Sequence, residues 1–196
     1  MNKYMGFYEL KYLDIPTIPW QKFDSSVKLD DEHLWTIRVA VESGNDFNLP
    51  RVVGVKSEQA YNKGLEYLRK YGDKGIIIYY PYFIAQKSGV VDISQERTVI
   101  QGVKGDLRNL VNNGFKDETV VIRDGLFTFE GNEGFLIKQE LDEILYYSNA
   151  LKGRYRGFIS EGKSLLLEWS YAFNSDVDKN TIGQRYLVFY EIRTVG

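Results

Sequence analysis

Apolar residues alternate with polar ones, or run together in short blocks, along most of the chain, and helical spacing is confined to a few stretches. Residues 34–41 (LWTIRVAV) are β-branched and aromatic, bounded by acidic residues and by Ser43-Gly44-Asn45-Asp46, which predicts a strand. Residues 51–55 (RVVGV) predict a second, shorter one. A helix is expected from Ser57, as its N-cap, to about Lys70, with Ala60, Gly64, Leu65 and Leu68 on one face and Gly72 as its stop. Residues 75–84 (GIIIYYPYFI) are continuously apolar, the mark of a strand buried on both faces. Residues 89–93 and 98–103 follow as strands, and Asp106 caps a short helix, LRNLV, that stops at Asn112-Asn113-Gly114.

The second half continues in the same manner. Residues 119–123 and 126–130 read as a hairpin around Asp124-Gly125, a favoured type I′ pair. Residues 133–152 place Ile137, Leu141, Ile144, Leu145 and Ser148 at helical spacing and end at Gly153. Two last strands, 164–173 (SLLLEWSYAF) and 185–195 (RYLVFYEIRTV), flank a polar loop. About eight strands and two or three helices, without regular alternation, predict an α+β fold with a mixed or antiparallel sheet. Residues 1–33 read as an irregular N-terminal segment and 34–196 as the folded domain.

Composition narrows the chemistry. The 196 residues include no cysteine and one histidine, His33, which removes disulfides, thiolate metal sites and cysteine nucleophiles and disfavours a histidine-based triad. A net charge of −2 gives no electrostatic reason to expect nucleic acid or an anionic membrane as a partner. Residues 1–12 lack the apolar core of a signal peptide, and the longest apolar stretch is too short to span a bilayer, so a cytoplasmic protein is expected. His33, beside three acidic residues, carries no catalytic role in this reading.

The informative feature is acidic. Glu168 interrupts the apolar run LLLEW, and Glu191 does the same in LVFYEIR, with Arg193 two residues on. Period-2 alternation puts Glu191 and Arg193 on one face with Phe189 and Leu187. If the two strands pair, the glutamates approach each other, and two carboxylates about 4 Å apart repel by roughly 4 kcal/mol at an effective dielectric near 20. A divalent metal carrying a phosphate resolves that repulsion, and so does Arg193. The bland alternative sets both glutamates on a solvent-exposed sheet face.

These residues also resemble a known family. Leu167-Glu168-Trp169 and Glu191-Ile192-Arg193-Thr194 are similar to the end of the ATP-binding domain of phosphoenolpyruvate synthase and pyruvate phosphate dikinase, a branch of the ATP-grasp superfamily. Thr36-Ile37-Arg38-Val39-Ala40 with residues 43–46, then 79–91 (YYPYFIAQKSGVV) and 98–114, resemble three further segments in the same order. The resemblance implies an ATP-grasp-like domain in which Arg38 and Arg193 contact the phosphates of ATP while Glu168 and Glu191 hold Mg²⁺. It implies a stand-alone domain that binds Mg-ATP and passes a phosphoryl group to an acceptor on another chain. Departures from the family pattern at Leu166, Gln101 and Tyr80, and the lack of a Gly-Gly-Lys segment before Arg38, favour the alternative: a non-catalytic protein-interaction module that keeps only the architecture.

Overall fold

The computed structural model describes residues 1–44, 49–108, 110, 114 and 116–196. Two antiparallel sheets carry the chain. The smaller has the order β1-β4-β2-β3 and the larger β10-β9-β5-β6-β7-β8. Their strands are β1 (Gln21–Lys22), β2 (Trp35–Val41), β3 (Arg51–Val55), β4 (Gly75–Pro81), β5 (Phe83–Ile93), β6 (Thr98–Lys104), β7 (Glu118–Arg123), β8 (Leu126–Gly131), β9 (Ser164–Ser175) and β10 (Thr181–Val195). Four helices are described: α1 (Lys3–Tyr12), α2 (Ser57–Tyr71), α3 (Lys138–Arg154) and α4 (Arg156–Ser160). The fold is α+β with antiparallel sheets, as the pattern predicts.

Alternation along β2 explains how the sheets share the interior. Trp35, Ile37, Val39 and Val41 join Phe23, Ala60, Tyr67 and Ile77 in a core under α2. Ala40, with Ile76, Ile78 and Tyr80 of β4, turns the other way into a larger core built on β9, β10, α3 and α4. A strand whose successive residues feed two cores has no solvent face, and every residue of β2 is buried. Arg38 is 7% exposed and therefore needs partners for its charge inside the protein.

Several boundaries differ from the sequence reading, each for a local reason. The apolar run 75–84 is two strands: β4 ends at Pro81, the Tyr82 N–H donates to the Leu34 carbonyl, and β5 starts in the other sheet. The N-cap of α2 is Lys56, because the Ser57 hydroxyl is drawn off to the Asp31 carboxylate. Helix α3 starts at Lys138, where the Glu140 carboxylate accepts the Ile137 N–H at 3.0 Å, and it runs through Gly153. Arg154 ends α3 and Arg156 begins α4. The turn at Asp124-Gly125 is as expected, with φ of 51° and 77°. The turn at 43–46 and the LRNLV helix with its stop fall in part outside the described residues.

Residues 1–33 are not irregular, because α1 forms there and docks on β10. Its N-cap Asn2 accepts the Met5 N–H at 3.0 Å, and Phe7 and Leu10 enter the large core. The apolar residues do not mark the docking face, since Phe7 and Leu10 are buried with Gly6 while Met5 and Tyr12 are exposed, so periodicity gave no clear signal; tertiary packing decides its conformation. Gly6 is what allows the contact: a Cβ there would meet the Ile192 carbonyl oxygen at 1.9 Å. Gly89 plays the same part on β5, where a Cβ would strike the Gln101 carbonyl at 1.9 Å and the Trp169 ring at 2.4 Å.

Replacing Gly6 by Val is expected to push α1 off β10 and cost about 1–3 kcal/mol, as overpacked cores do. The melting temperature should fall by roughly 5 °C, and a thermal melt that matches the wild type would show that α1 is not seated as described.

Candidate functional site

The two sheets part along one side to leave a cleft of about 670 Å³. Its floor is made by Thr36 and Arg38 of β2, Tyr80 of β4, Ser88 of β5, Glu168 and Ser170 of β9, and Tyr190, Glu191 and Arg193 of β10. Lys3 of α1 closes one end, and Arg51, Tyr82, Phe83, Asp106 and Arg108 line the rim. All four residues singled out from the sequence, Arg38, Glu168, Glu191 and Arg193, line this one cleft.

Strand register brings the carboxylates together. Glu191 is paired directly with Glu168 across β10 and β9. Two steps along β10, from Phe189 to Glu191, match one step along β9, from Trp169 to Glu168, so Tyr190 is an extra residue in a β-bulge. The bulge breaks simple alternation. Tyr190, Glu191 and Arg193 line the cleft, whereas Phe189 sets its ring against Tyr147 of α3, so Glu191 and Phe189 do not share a face. Strand β9 keeps its alternation: Glu168 and Ser170 look into the cleft, and Leu167, Trp169 and Tyr171 enter the core. The solvent-exposed arrangement of the two glutamates is not the one found.

Cations from three elements converge on Glu191. Arg38 donates from Nη2 to Oε2 at 2.8 Å, Lys3 Nζ lies 3.3 Å from Oε1, and Arg193 Nε lies 3.9 Å from Oε1. The Glu191 carboxylate is 2% exposed. Burial opposes its charge, but Arg38, Lys3 and Arg193 outweigh burial and hold the carboxyl below its ordinary range. Burial likewise opposes the charge on Arg38, and Tyr80, Glu191 and Glu168 more than restore it. Glu168 behaves in the opposite way: burial, then the charge of Glu191, push its carboxyl up to about 7 against the pull of Arg38, Lys3 and Arg193. The two carboxyls are thus shifted in opposite directions, Glu191 toward its charged form and Glu168 toward its protonated form.

The sequence reading missed Lys3, Arg51, Arg108 and Tyr190. Arg51 was within reach, since β2–β3 pairing sets it opposite Arg38. Lys3 had no signal, because α1 itself had none. His33 stands apart, exposed and bonded through Nδ1 to Asp30 at 2.7 Å. Among the described residues no group of three or more His, Cys, Asp or Glu side chains could hold a metal ion, so a metal here would rest on the two glutamates. No described helix is long and apolar enough to cross a membrane.

No protein-family model matches the chain, and no curated protein matches it. The crystal structure of the macrocyclase MdnC bound with precursor peptide MdnA, from Microcystis aeruginosa MRC, is similar over 97% of this chain and 51% of that one, at 11% identity and a TM-score of 0.45. The chain thus spans about half the length of that structure. The comparisons do not bear out membership of the phosphoenolpyruvate synthase and pyruvate phosphate dikinase family: no family model matches, and the structure found to be similar is a macrocyclase. The motifs that suggested it are a few residues each, and short Val-, Arg- and Glu-containing strand segments recur by chance.

The raised Glu168 carboxyl has a consequence for stability. Unfolded, it ionises near the ordinary 4.5; folded, it keeps its proton to about 7. Between those values the folded state binds more protons, so its contribution falls as pH rises from about 4.5 to about 7 and stays lost above. Glu168→Gln should abolish that fall. At pH 8 the variant is expected to be more stable by on the order of 2 kcal/mol, with the gain vanishing near pH 4.5 in paired thermal melts.

Proposed function

We propose that the chain is an ATP-grasp-like module that binds a nucleoside triphosphate in the cleft between its sheets. The observation that carries the reading is the lining. Five cationic side chains (Lys3, Arg38, Arg51, Arg108 and Arg193) face three carboxyls (Asp106, Glu168 and Glu191), with the rings of Tyr82, Phe83 and Tyr190 in the same cavity. Guanidinium forks match phosphate oxygens, and aromatic rings suit a base or sugar. The volume falls within the range of small-molecule sites.

Magnesium fits the donor set. Glu168 and Glu191 are adjacent hard-oxygen donors, and burial and the charge of Glu191 keep Glu168 toward its protonated form. The two would hold the ion, which when bound supplies charge neutralisation between the carboxylates and the phosphates. Arg38 and Arg193 would bind and orient the phosphate groups, and the buried floor keeps them in place without solvent reorganisation. In this reading the phosphoryl acceptor belongs to another chain; two of the floor hydroxyls, Ser88 and Ser170, are bonded to each other at 2.8 Å.

A second reading has its own observation. Three cations already sit on Glu191, so this carboxylate is paired without a ligand, as in a scaffold for protein interaction. The two separate on one measurement. Millimolar Mg-ATP is expected to raise the melting temperature by roughly 5 °C, and Glu168→Ala and Arg38→Met to remove the shift. An unmoved wild-type melt overturns the nucleotide reading; a protein partner retained by Glu168→Ala supports the second.

A further inference from the structure

Glu191 occupies the position that an incoming anion would need. Its two oxygens take Arg38, Lys3 and Arg193, the three cations of the cleft floor and closed end, whereas Arg51 and Arg108 on the rim are exposed. A carboxylate that gathers three cations in a cleft does what a bound phosphate does, with charge-assisted contacts to the same donors. The bulge at Tyr190 is what turns Glu191 inward; in an unbroken strand Glu191 would share the face of Phe189.

Resting on the nucleotide reading, we propose that Glu191 is an internal competitor for the phosphate site: an entering polyphosphate takes Lys3 and Arg38 by displacing the Glu191 carboxylate. Lys3 and Arg38 thereby become phosphate-binding residues held in reserve, and Glu191 sets the threshold an anion must exceed. The exchange is anion for anion, so neither cation is left buried and unpaired at any stage. Lys3 is suited to the transfer, being a flexible ammonium at the closed end, 18% exposed, against 9% for Arg38. The device also selects by charge. A monoanion offers no more than Glu191 already supplies, while a di- or triphosphate bridges several cations at once. The displaced carboxylate comes to stand beside Glu168 with fewer cations, which favours ligands that arrive with a cation of their own.

Calorimetric titration with inorganic tripolyphosphate in EDTA tests this without metal. Glu191→Gln keeps the shape and an acceptor for Arg38 but removes the charge, and it is expected to bind about tenfold more tightly than the wild type. Lys3→Met should weaken binding in both backgrounds. Equal or weaker binding by Glu191→Gln overturns the proposal. Glu191→Asp, which retains the charge on a shorter arm, gives a second measurement if the first variant fails to fold; about threefold tighter binding is expected, and no gain overturns the proposal. A wild type that responds to Mg-ATP while Glu191→Gln gains nothing rejects only the competitor. A wild type that ignores Mg-ATP and tripolyphosphate rejects the nucleotide reading as well.

Discussion

The ion pair between Arg38 and Glu191 joins the two sheets at their buried seam. Arg38 stands on β2 of the smaller sheet and Glu191 on β10 of the larger, with 2.8 Å between donor and acceptor. Removing either partner would leave a buried charge uncompensated, at a cost of about 3–5 kcal/mol. The pair is a constraint as much as an attraction. In the unliganded protein it ties one sheet to the other through a single charge-assisted contact, from Arg38 Nη2 to Glu191 Oε2. Lys3 extends the same constraint to α1, so three elements distant in sequence meet on one carboxylate.

A second buried carboxylate repeats the device for the helical layer. Glu140 of α3, 2% exposed, takes Lys87 of β5 at 2.6 Å and Arg185 of β10 at 2.7 Å. The Lys87 ammonium also donates to the Phe135 carbonyl at 2.5 Å, and Arg185 to the Gln86 side chain at 2.7 Å. The helix start is thereby clamped to the large sheet by the same oxygen that accepts its Ile137 N–H. This second cluster is absent from the cleft lining, so it serves the fold, whereas the Glu191 cluster faces the cavity. The contrast shows why buried charge alone does not mark a binding site.

The strand pattern was legible because residues 34–41, 75–84 and 164–173 carry long apolar or β-branched runs, and the glutamates because they interrupt such runs. What alternation could not show was the bulge at Tyr190, since one inserted residue leaves no trace in hydrophobicity yet reverses every side chain beyond it. Helix α1 was hidden for a related reason. Its conformation is set by Gly6 lying against Ile192, a contact between residues nearly at opposite ends of the chain. The break at Tyr82 is also non-local, because the run 75–84 is apolar throughout while the chain moves from one sheet to the other. Each miss is a decision taken by tertiary packing among local options that the sequence leaves open.

The two glutamates, identical in type and opposite each other in register, differ only in what surrounds them. Glu191 has three cations within 4 Å of its oxygens, which favour its charged form; Glu168, next to that charge and only partly exposed, is pushed toward its protonated form. Any positive charge added to the cleft acts chiefly on Glu168, and any negative charge acts chiefly on the cations around Glu191. The floor therefore responds to both signs through different residues, and a ligand that brings both, a polyphosphate with its counter-ion, satisfies the two demands together. A ligand bringing only one sign leaves either a carboxyl to be neutralised by a proton or a cation cluster to be shared with Glu191. That asymmetry follows from the register of β9 against β10 and the single bulge, not from any residue type that composition would reveal.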